Sequence, residues 1–266
     1  MPAPTPFPAI LMEDDTLVAF DKPAGLPMVP ERSGRPVPSL MGLVRARFGD
    51  SVANVHRLDT GASGVVLCAK TKASLDFLSG QFQSKTVDKA YVALCVVLPA
   101  DDPRVELREL RPEAGSLPPE FLIDAAIGED EHQAGRMRLF RKRGGKPSTS
   151  QVRVLESFGR FAWVECRPLT GRTHQVRVHL AAAGVPVLND ALYGDPAAVL
   201  LLSDLKRRYK GRETERPLLS RLALHASGLG FQHPSGSGPV SVASPLPEEF
   251  EIALKYLRKF SGPGRA

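Results

Sequence analysis

The sequence predicts an α+β fold. Three observations predict it. Strand-like and helix-like segments are mixed without the strict alternation of a doubly wound fold. Short apolar runs, such as residues 65–69 and 91–98, have the length of buried strands rather than helices. Ser39, Thr71 and Thr173 each stand just ahead of a helical pattern, where a capping oxygen belongs.

Taken in order, residues 1–12 read as a flexible tail, Pro-rich through its first nine positions. Residues 17–20 form a strand ended by the turn Lys22-Pro23-Ala24-Gly25. Ser39 caps a helix with Leu40, Leu43, Val44 and Phe48 as its apolar positions and Gly49 just past its end. A polar loop follows, then the strand at 65–69. Thr71 caps a second helix with Leu75, Leu78 and Phe82 on one face. After the strand at 91–98, residues 101–120 are charged and Pro-rich and read as a surface excursion. Residues 151–155 alternate as a half-buried strand, with 161–166 as its neighbour. Thr173 caps a helix running through Ala183, and Gly184 suits its end. Residues 203–216 read as a helix end plus a loop. Strands are expected at 222–225 and 240–243. An amphipathic helix at 248–260 carries Phe250, Ile252, Leu254 and Leu257. No repeat and no linker interrupts the chain, so residues 13–260 are expected to form a single catalytic domain.

Composition narrows the function classes. There are 35 Lys+Arg against 29 Asp+Glu, and the net charge of +6 favours a polyanionic partner such as nucleic acid. Cys68, Cys95 and Cys166 are far apart, odd in number and set in apolar runs, which argues for buried free thiols rather than a disulfide framework or a thiolate zinc site. The N-terminus lacks the basic start and apolar core of a signal peptide. No run approaches the ~18 apolar residues of a membrane span. A cytoplasmic protein is expected.

Three clusters carry the chemistry. The first is Asn54-Val55-His56-Arg57-Leu58-Asp59-Thr60-Gly61-Ala62-Ser63-Gly64. A carboxylate in a tight loop before a buried strand is held rigidly and aimed, which suits a nucleophile or a general base. The same pattern also describes a salt-bridged turn aspartate. The second is Lys89-Ala90-Tyr91, where a tyrosine opening a buried strand offers a flat apolar face with a polar tip. The third is Gly171-Arg172-Thr173-His174-Gln175-Val176-Arg177-Val178-His179, a Gly-Arg loop running into a helix N-terminus that suits phosphate. Arg177 falls where it can hold a carboxylate, and an arginine so placed keeps its partner ionised. His174 and His179 are five apart and lie on different helix faces, which is not a zinc-binding spacing. No metal site is expected from this spacing. Two basic stretches, Arg136 to Lys146 and Lys206 to Arg216, could track phosphate or could be solvated surface.

With these clusters in hand, the chain resembles the RluA-type RNA pseudouridine synthases from about Glu13 to Phe250. The resemblance rests on five pieces in order. They are Glu13-Asp14-Asp15 with Lys22-Pro23-Ala24-Gly25; His56-Arg57-Leu58-Asp59 with Ser63-Gly64; Lys89-Ala90-Tyr91-Val92-Ala93-Leu94; the Gly171–His179 cluster; and Leu224-His225-Ala226. The pattern departs at Ala62, where the family usually has threonine. The resemblance implies the pseudouridine synthase catalytic fold, a mixed, mainly antiparallel central sheet flanked by helices and loops with the cleft across that sheet, and isomerisation of uridine to pseudouridine in ribosomal or transfer RNA without a metal or organic cofactor. It implies that Asp59 is the essential carboxylate, attacking the anomeric carbon or the base, or removing the ribose 2′ proton. It implies that Tyr91 stacks on the uracil, that Arg177 pairs with Asp59 and that Arg57 supports the RNA. His56, Lys89, Arg172 and His174 would complete the substrate shell. The few residues before Glu13 cannot form the small RNA-binding domain that many relatives carry, so RNA affinity is expected from the catalytic domain itself. A monomer is the default. A catalytically silent RNA-binding protein on the same fold is the alternative. A glycosidase would need two carboxylates flanking the bond, and only Asp59 sits in a motif; Glu165 and Asp190 lie near the third cluster without matching context.

Overall fold

The computed structural model describes residues 6–30, 37–110, 117–141, 143–206, 209 and 214–262. In chain order the elements are β1 (Ala9–Glu13), β2 (Leu17–Lys22), α1 (Leu40–Phe48), β3 (Ala53–Asn54), β4 (Ser63–Ala69), α2 (Lys72–Ser84) and β5 (Asp88–Val96). They continue with β6 (Glu120–Asp124), β7 (Ala126–Glu129), β8 (Met137–Phe140), β9 (Thr149–Phe158), β10 (Phe161–Pro168), α3 (Gln175–Ala182), α4 (Leu202–Leu205), β11 (Leu224–Gln232), β12 (Pro239–Ala243) and α5 (Glu248–Ser261). The chain divides into two compact units, and the boundary between Ala90 and Tyr91 falls inside β5. No linker composition marks a division that runs through a strand.

The first unit takes in residues up to Ala90 and His225–Pro245. Its centre is β4, buried at every position, as its run of small and β-branched residues allows. β2 and β3 pair with β4 antiparallel, and β11 pairs with it in parallel through His225↔Ser63 and Ala226↔Gly64. β1 adds to β2, and β12 to β11, both antiparallel. Leu17, Val65, Leu67, Leu78, Leu229 and Phe231 meet in one apolar core. Both expected helix caps are present. The Ser39 hydroxyl accepts from Gly42 N at 3.2 Å, and that of Thr71 from Ser74 N at 3.1 Å. Each such cap stabilises its helix by about 1 kcal/mol. Residues 9–12, expected in the tail, instead form most of β1. The short apolar run Ile10-Leu11-Met12 follows a Pro-rich stretch, and it pairs because β2 offers an edge.

The second unit takes in residues 91–224 and 246 onward. Here β5, β10, β9 and β6 pair antiparallel in that order, and β7–β8 form a separate hairpin. α5 is the expected amphipathic helix. It buries Phe250, Ala253, Leu254 and Leu257, sets Phe250 against Trp163, and carries acids in its first turn and bases in its last.

Two expectations fail in this unit. α3 is not capped by Thr173: its N-cap is His174, left-handed at φ 55°, with no side-chain capping bond, and the cap at its far end is Ala183. Residues 101–110 are more than a surface excursion, because Val105 and Leu107 are buried and Glu106 and Leu107 donate backbone bonds to the Ala182 carbonyl. Residues 111–116 of that expectation, and Lys142, Arg207, Arg208, Lys210 and Arg212 of the basic stretches, lie outside the described residues.

All three cysteines are free and buried. Burial pushes the Cys68 and Cys166 thiols up to about 12, and Cys95 upward as well.

Candidate active site

In the first unit, Asp59 is half-buried in the loop joining β3 to β4. The turn closes locally, with Ala62 N donating to the Asp59 carbonyl at 3.1 Å. The neighbouring Thr60 carbonyl is gripped from outside. It accepts from Gly25 N at 2.8 Å and from Lys22 Nζ at 3.2 Å. Lys22 is fully buried, and its ammonium also donates to the carbonyls of Leu26 at 2.8 Å and Pro23 at 3.0 Å. A buried ammonium persists only where acceptors replace water, and these carbonyls tie the 22–26 turn to the Asp59 loop. This is the physical content of the Lys-Pro-Ala-Gly sequence.

His56 anchors the loop's other end. Its Nε2 accepts from Leu67 N at 3.1 Å, and its ring stacks on Phe82 at 5.1 Å between centroids. Burial, reinforced by the Lys89 ammonium and opposed by a backbone bond to Arg57, brings its pKa down to about 4. A neutral imidazole that accepts from a strand amide ties this end of the loop to β4. Lys89 is half-buried in β5, and desolvation, partly offset by Asp88, lowers its pKa to about 8. Arg57 is exposed.

In the second unit, Arg177 is 7% exposed and makes a bidentate pair with Asp190, Nε to Oδ2 and Nη2 to Oδ1, both 2.7 Å. The same carboxylate accepts from the amides of Leu192 and Tyr193. The Arg177 guanidinium lies 5.1 Å from the Tyr193 ring centroid. The Tyr193 hydroxyl in turn accepts from Met137 N at 2.8 Å and meets His174 Nδ1 at 2.9 Å. His174, Arg177, Asp190 and Tyr193 are therefore one network, and the sequence marked only the first two. The missed signal is the turn after α3. Asp190 uses its carboxylate on the Leu192 and Tyr193 amides and its carbonyl on Gly194 N, and a Cβ at Gly194 would lie 2.4 Å from that carbonyl.

Gln175 organises the loop before α3. Its Oε1 accepts from Thr170 Oγ1 at 2.7 Å and Arg172 N at 3.0 Å, while its Nε2 donates to Thr149 O and Ser150 Oγ. Arg172 reaches the Pro147 carbonyl. His179 is fully buried between Ser150 Oγ at 2.9 Å and the Ala125 carbonyl at 3.1 Å, and burial lowers its pKa to about 4. Among the described residues, no group of three or more His, Cys, Asp or Glu could hold a metal ion. Tyr91 is half-buried and in register with Cys166, Val152 and Phe121 across β5, β10, β9 and β6. A cavity of about 190 Å³ lined by Glu120, Gln151, Arg153, Glu165 and Arg167 opens on the opposite face of those strands, since Glu165 alternates with Cys166. Glu165 is spent there on ion pairs with Arg153 and Arg167.

The model of the RNA pseudouridylate synthase family matches residues 16–182, a span that includes Asp59, Tyr91 and Arg177. The chain belongs to the RNA pseudouridylate synthase family. Among its relatives is the ribosomal large subunit pseudouridine synthase D of Neisseria meningitidis, 33% identical over 261 residues, 95% of this chain and 62% of the relative. The ribosomal large subunit pseudouridine synthase C of Vibrio vulnificus is 32% identical over 254 residues, 94% of this chain and 69% of the relative. The chain thus spans just over three fifths of the first relative's length and somewhat more of the second's. Among solved structures, human RNA pseudouridylate synthase domain containing 4 superposes with a TM-score of 0.65 at 25% identity, covering 94% of this chain and 92% of that one. The pseudouridine synthase fold, mainly antiparallel with few helices, is the one expected from the sequence. No described helix is long and apolar enough to cross a membrane.

Proposed function

We propose that this protein isomerises uridine to pseudouridine in RNA, with Asp59 as the essential carboxylate. The observation that carries the reading is the grip on the Asp59 turn. Within the span that matches the family, the carbonyl next to Asp59 is held by both Gly25 N and the buried Lys22 ammonium. A carboxylate on a fixed turn meets its substrate without reorganising, and such preorganisation is a large part of enzymatic rate enhancement.

Tyr91 and Arg177 are proposed as the other members of the catalytic set, the phenol stacking on the flipped base and the guanidinium supporting the carboxylate chemistry. Arg57, exposed beside Asp59, is proposed to hold the RNA backbone around that base. His56 and His174 support the set from behind, His56 as acceptor of a strand amide and His174 through Tyr193. Lys89 and Arg172 are proposed to contact RNA. The names of the relatives favour large-subunit ribosomal RNA as the substrate class over transfer RNA. The net charge of +6 suits such a partner.

The test is tritium release from RNA labelled at carbon 5 of uracil. Wild type should release tritium from ribosomal RNA, and Asp59→Asn should lose about 10³-fold or more in rate while melting within a degree or two of wild type. Binding without release by wild type would instead support the silent RNA-binding reading.

A further inference from the structure

The late residues His225 and Ala226 have no part in the chemistry above, yet they pair with the end of the Asp59 loop. β11 meets β4 in parallel only at His225↔Ser63 and Ala226↔Gly64, the two residues through which the loop enters β4. The approach is close enough to exclude a side chain: a Cβ on Gly64, at φ +111°, would stand 2.2 Å from the Ala226 carbonyl oxygen. At the adjoining pair the contact is polar. His225, fully buried, places Nδ1 2.9 Å from the Ser63 hydroxyl, itself 3% exposed. The other ring nitrogen faces the Ser244 carbonyl at 3.5 Å, and the Ser244 hydroxyl donates to Asp21 Oδ1 at 2.9 Å. A carbonyl only accepts, so the tautomer that suits both contacts carries the ring proton on Nε2 and accepts from Ser63 at Nδ1.

An apolar pair of the same shape would serve a core equally well, because two hydrogen-bonded buried groups replaced together cost little. A directional bond does one thing an apolar contact does not: it fixes an angle. Here the fixed angle is that of Ser63, which directly follows the Ala62 amide that closes the Asp59 turn.

We infer that His225 is a positioning residue for Asp59, acting through Ser63 to fix the exit of the catalytic turn. The inference rests on the proposed isomerase reading. A small displacement of a reacting group far from the mutated atom costs up to about 10²-fold in rate.

Two readouts test it, on the full chain. The first is hydrogen exchange of the peptide spanning residues 56–64, which needs no activity. Ser63→Ala should speed exchange there by about tenfold, and Ser63→Thr, which keeps the hydroxyl, should restore most of the protection. The second is tritium release. Ser63→Ala should lower kcat by about 10- to 100-fold with KM and RNA affinity unchanged, and Ser63→Thr should recover most of it. His225→Phe should match Ser63→Ala, and the double variant should be no worse than the poorer single. Unchanged exchange in Ser63→Ala overturns the inference whatever the activity. So does unchanged kcat, equal loss in Ser63→Thr, or additive losses. Should His225→Phe fail to fold, the serine pair decides alone. A wild type without tritium release sinks the isomerase reading, and exchange still judges the clamp.

Discussion

The Asp59 loop and the segment from Arg172 to Arg177 are both held rigid, but by opposite means. Around Asp59 the grip is on the backbone: Lys22 and Gly25 hold the Thr60 carbonyl, and His56 accepts an amide of β4. Around Arg177 the grip is on side chains: Asp190 binds the guanidinium twice, Tyr193 bridges His174 to β8, and Gln175 serves four partners. Holding the first by its backbone fixes the turn that carries the carboxylate. The second is stabilised through the very groups that chemistry would use. The first should therefore be damaged by adding atoms to the backbone's surroundings, and the second by removing a side-chain partner.

The largest expected effect tests the second region. Asp190→Ala leaves a buried guanidinium without its bidentate partner and should cost about 3–5 kcal/mol, read as a fall in the urea midpoint. Asp59→Asn, the matched change in the first region, should leave that midpoint almost where it was. Equal losses in the two variants would break the contrast. The next effect tests the first region. Gly64→Ala adds one methyl against the Ala226 carbonyl at a positive φ and should cost about 3 kcal/mol. A stable Gly64→Ala protein would show that β11 can move away from β4 at no great expense.

The last effect is one the regions share, and it appears only in acid. His56 and His179 are held at about 4 in the fold, against 6.5 for a free imidazole. In both cases burial is the main cause. Between those values the unfolded chain takes up protons that the native chain refuses, so stability is intact above pH 6.5 and falls as the pH drops to about 4. For the fully buried His179 the full loss is on the order of 3 kcal/mol. Urea melts from pH 7 to pH 4 should show it, and His179→Asn should flatten the slope by about one proton. The same slope in that variant would place the linked proton elsewhere. Asp14, held at about 2 by hydrogen bonds from Thr16, Leu17 and His233 that outweigh its burial, extends the decline below pH 4.

What was legible in the sequence is what depends on neighbours along the chain. Ser39 and Thr71 cap their helices because a cap needs only the next three residues. β4, β5, β9 and β10 follow from short apolar runs or alternation. Thr173 failed by the same logic. The loop before it is organised by Gln175, whose amide reaches back to Thr149 and Ser150, so the helix starts one residue later on a left-handed His174. Asp190 was visible but had no assigned role, because its partner lies 13 residues back with a helix end and a turn between. No periodicity encodes such a pairing. The clusters Asp59, Tyr91 and Arg177 stood out as motifs, yet the division of labour within them did not. Whether a histidine serves substrate or scaffold depends on what surrounds its ring, and for His56 and His179 that surrounding is strand amide, serine and carbonyl.

The three buried thiols give this protein a built-in clock. A thiol held near 12 is almost wholly protonated at pH 8, and its strand shields it from reagent, so alkylation must wait for the fold to open. Cys68 sits in the first unit, Cys95 and Cys166 in the second. Timed labelling followed by peptide mapping would therefore record how often each unit opens, without altering a single residue.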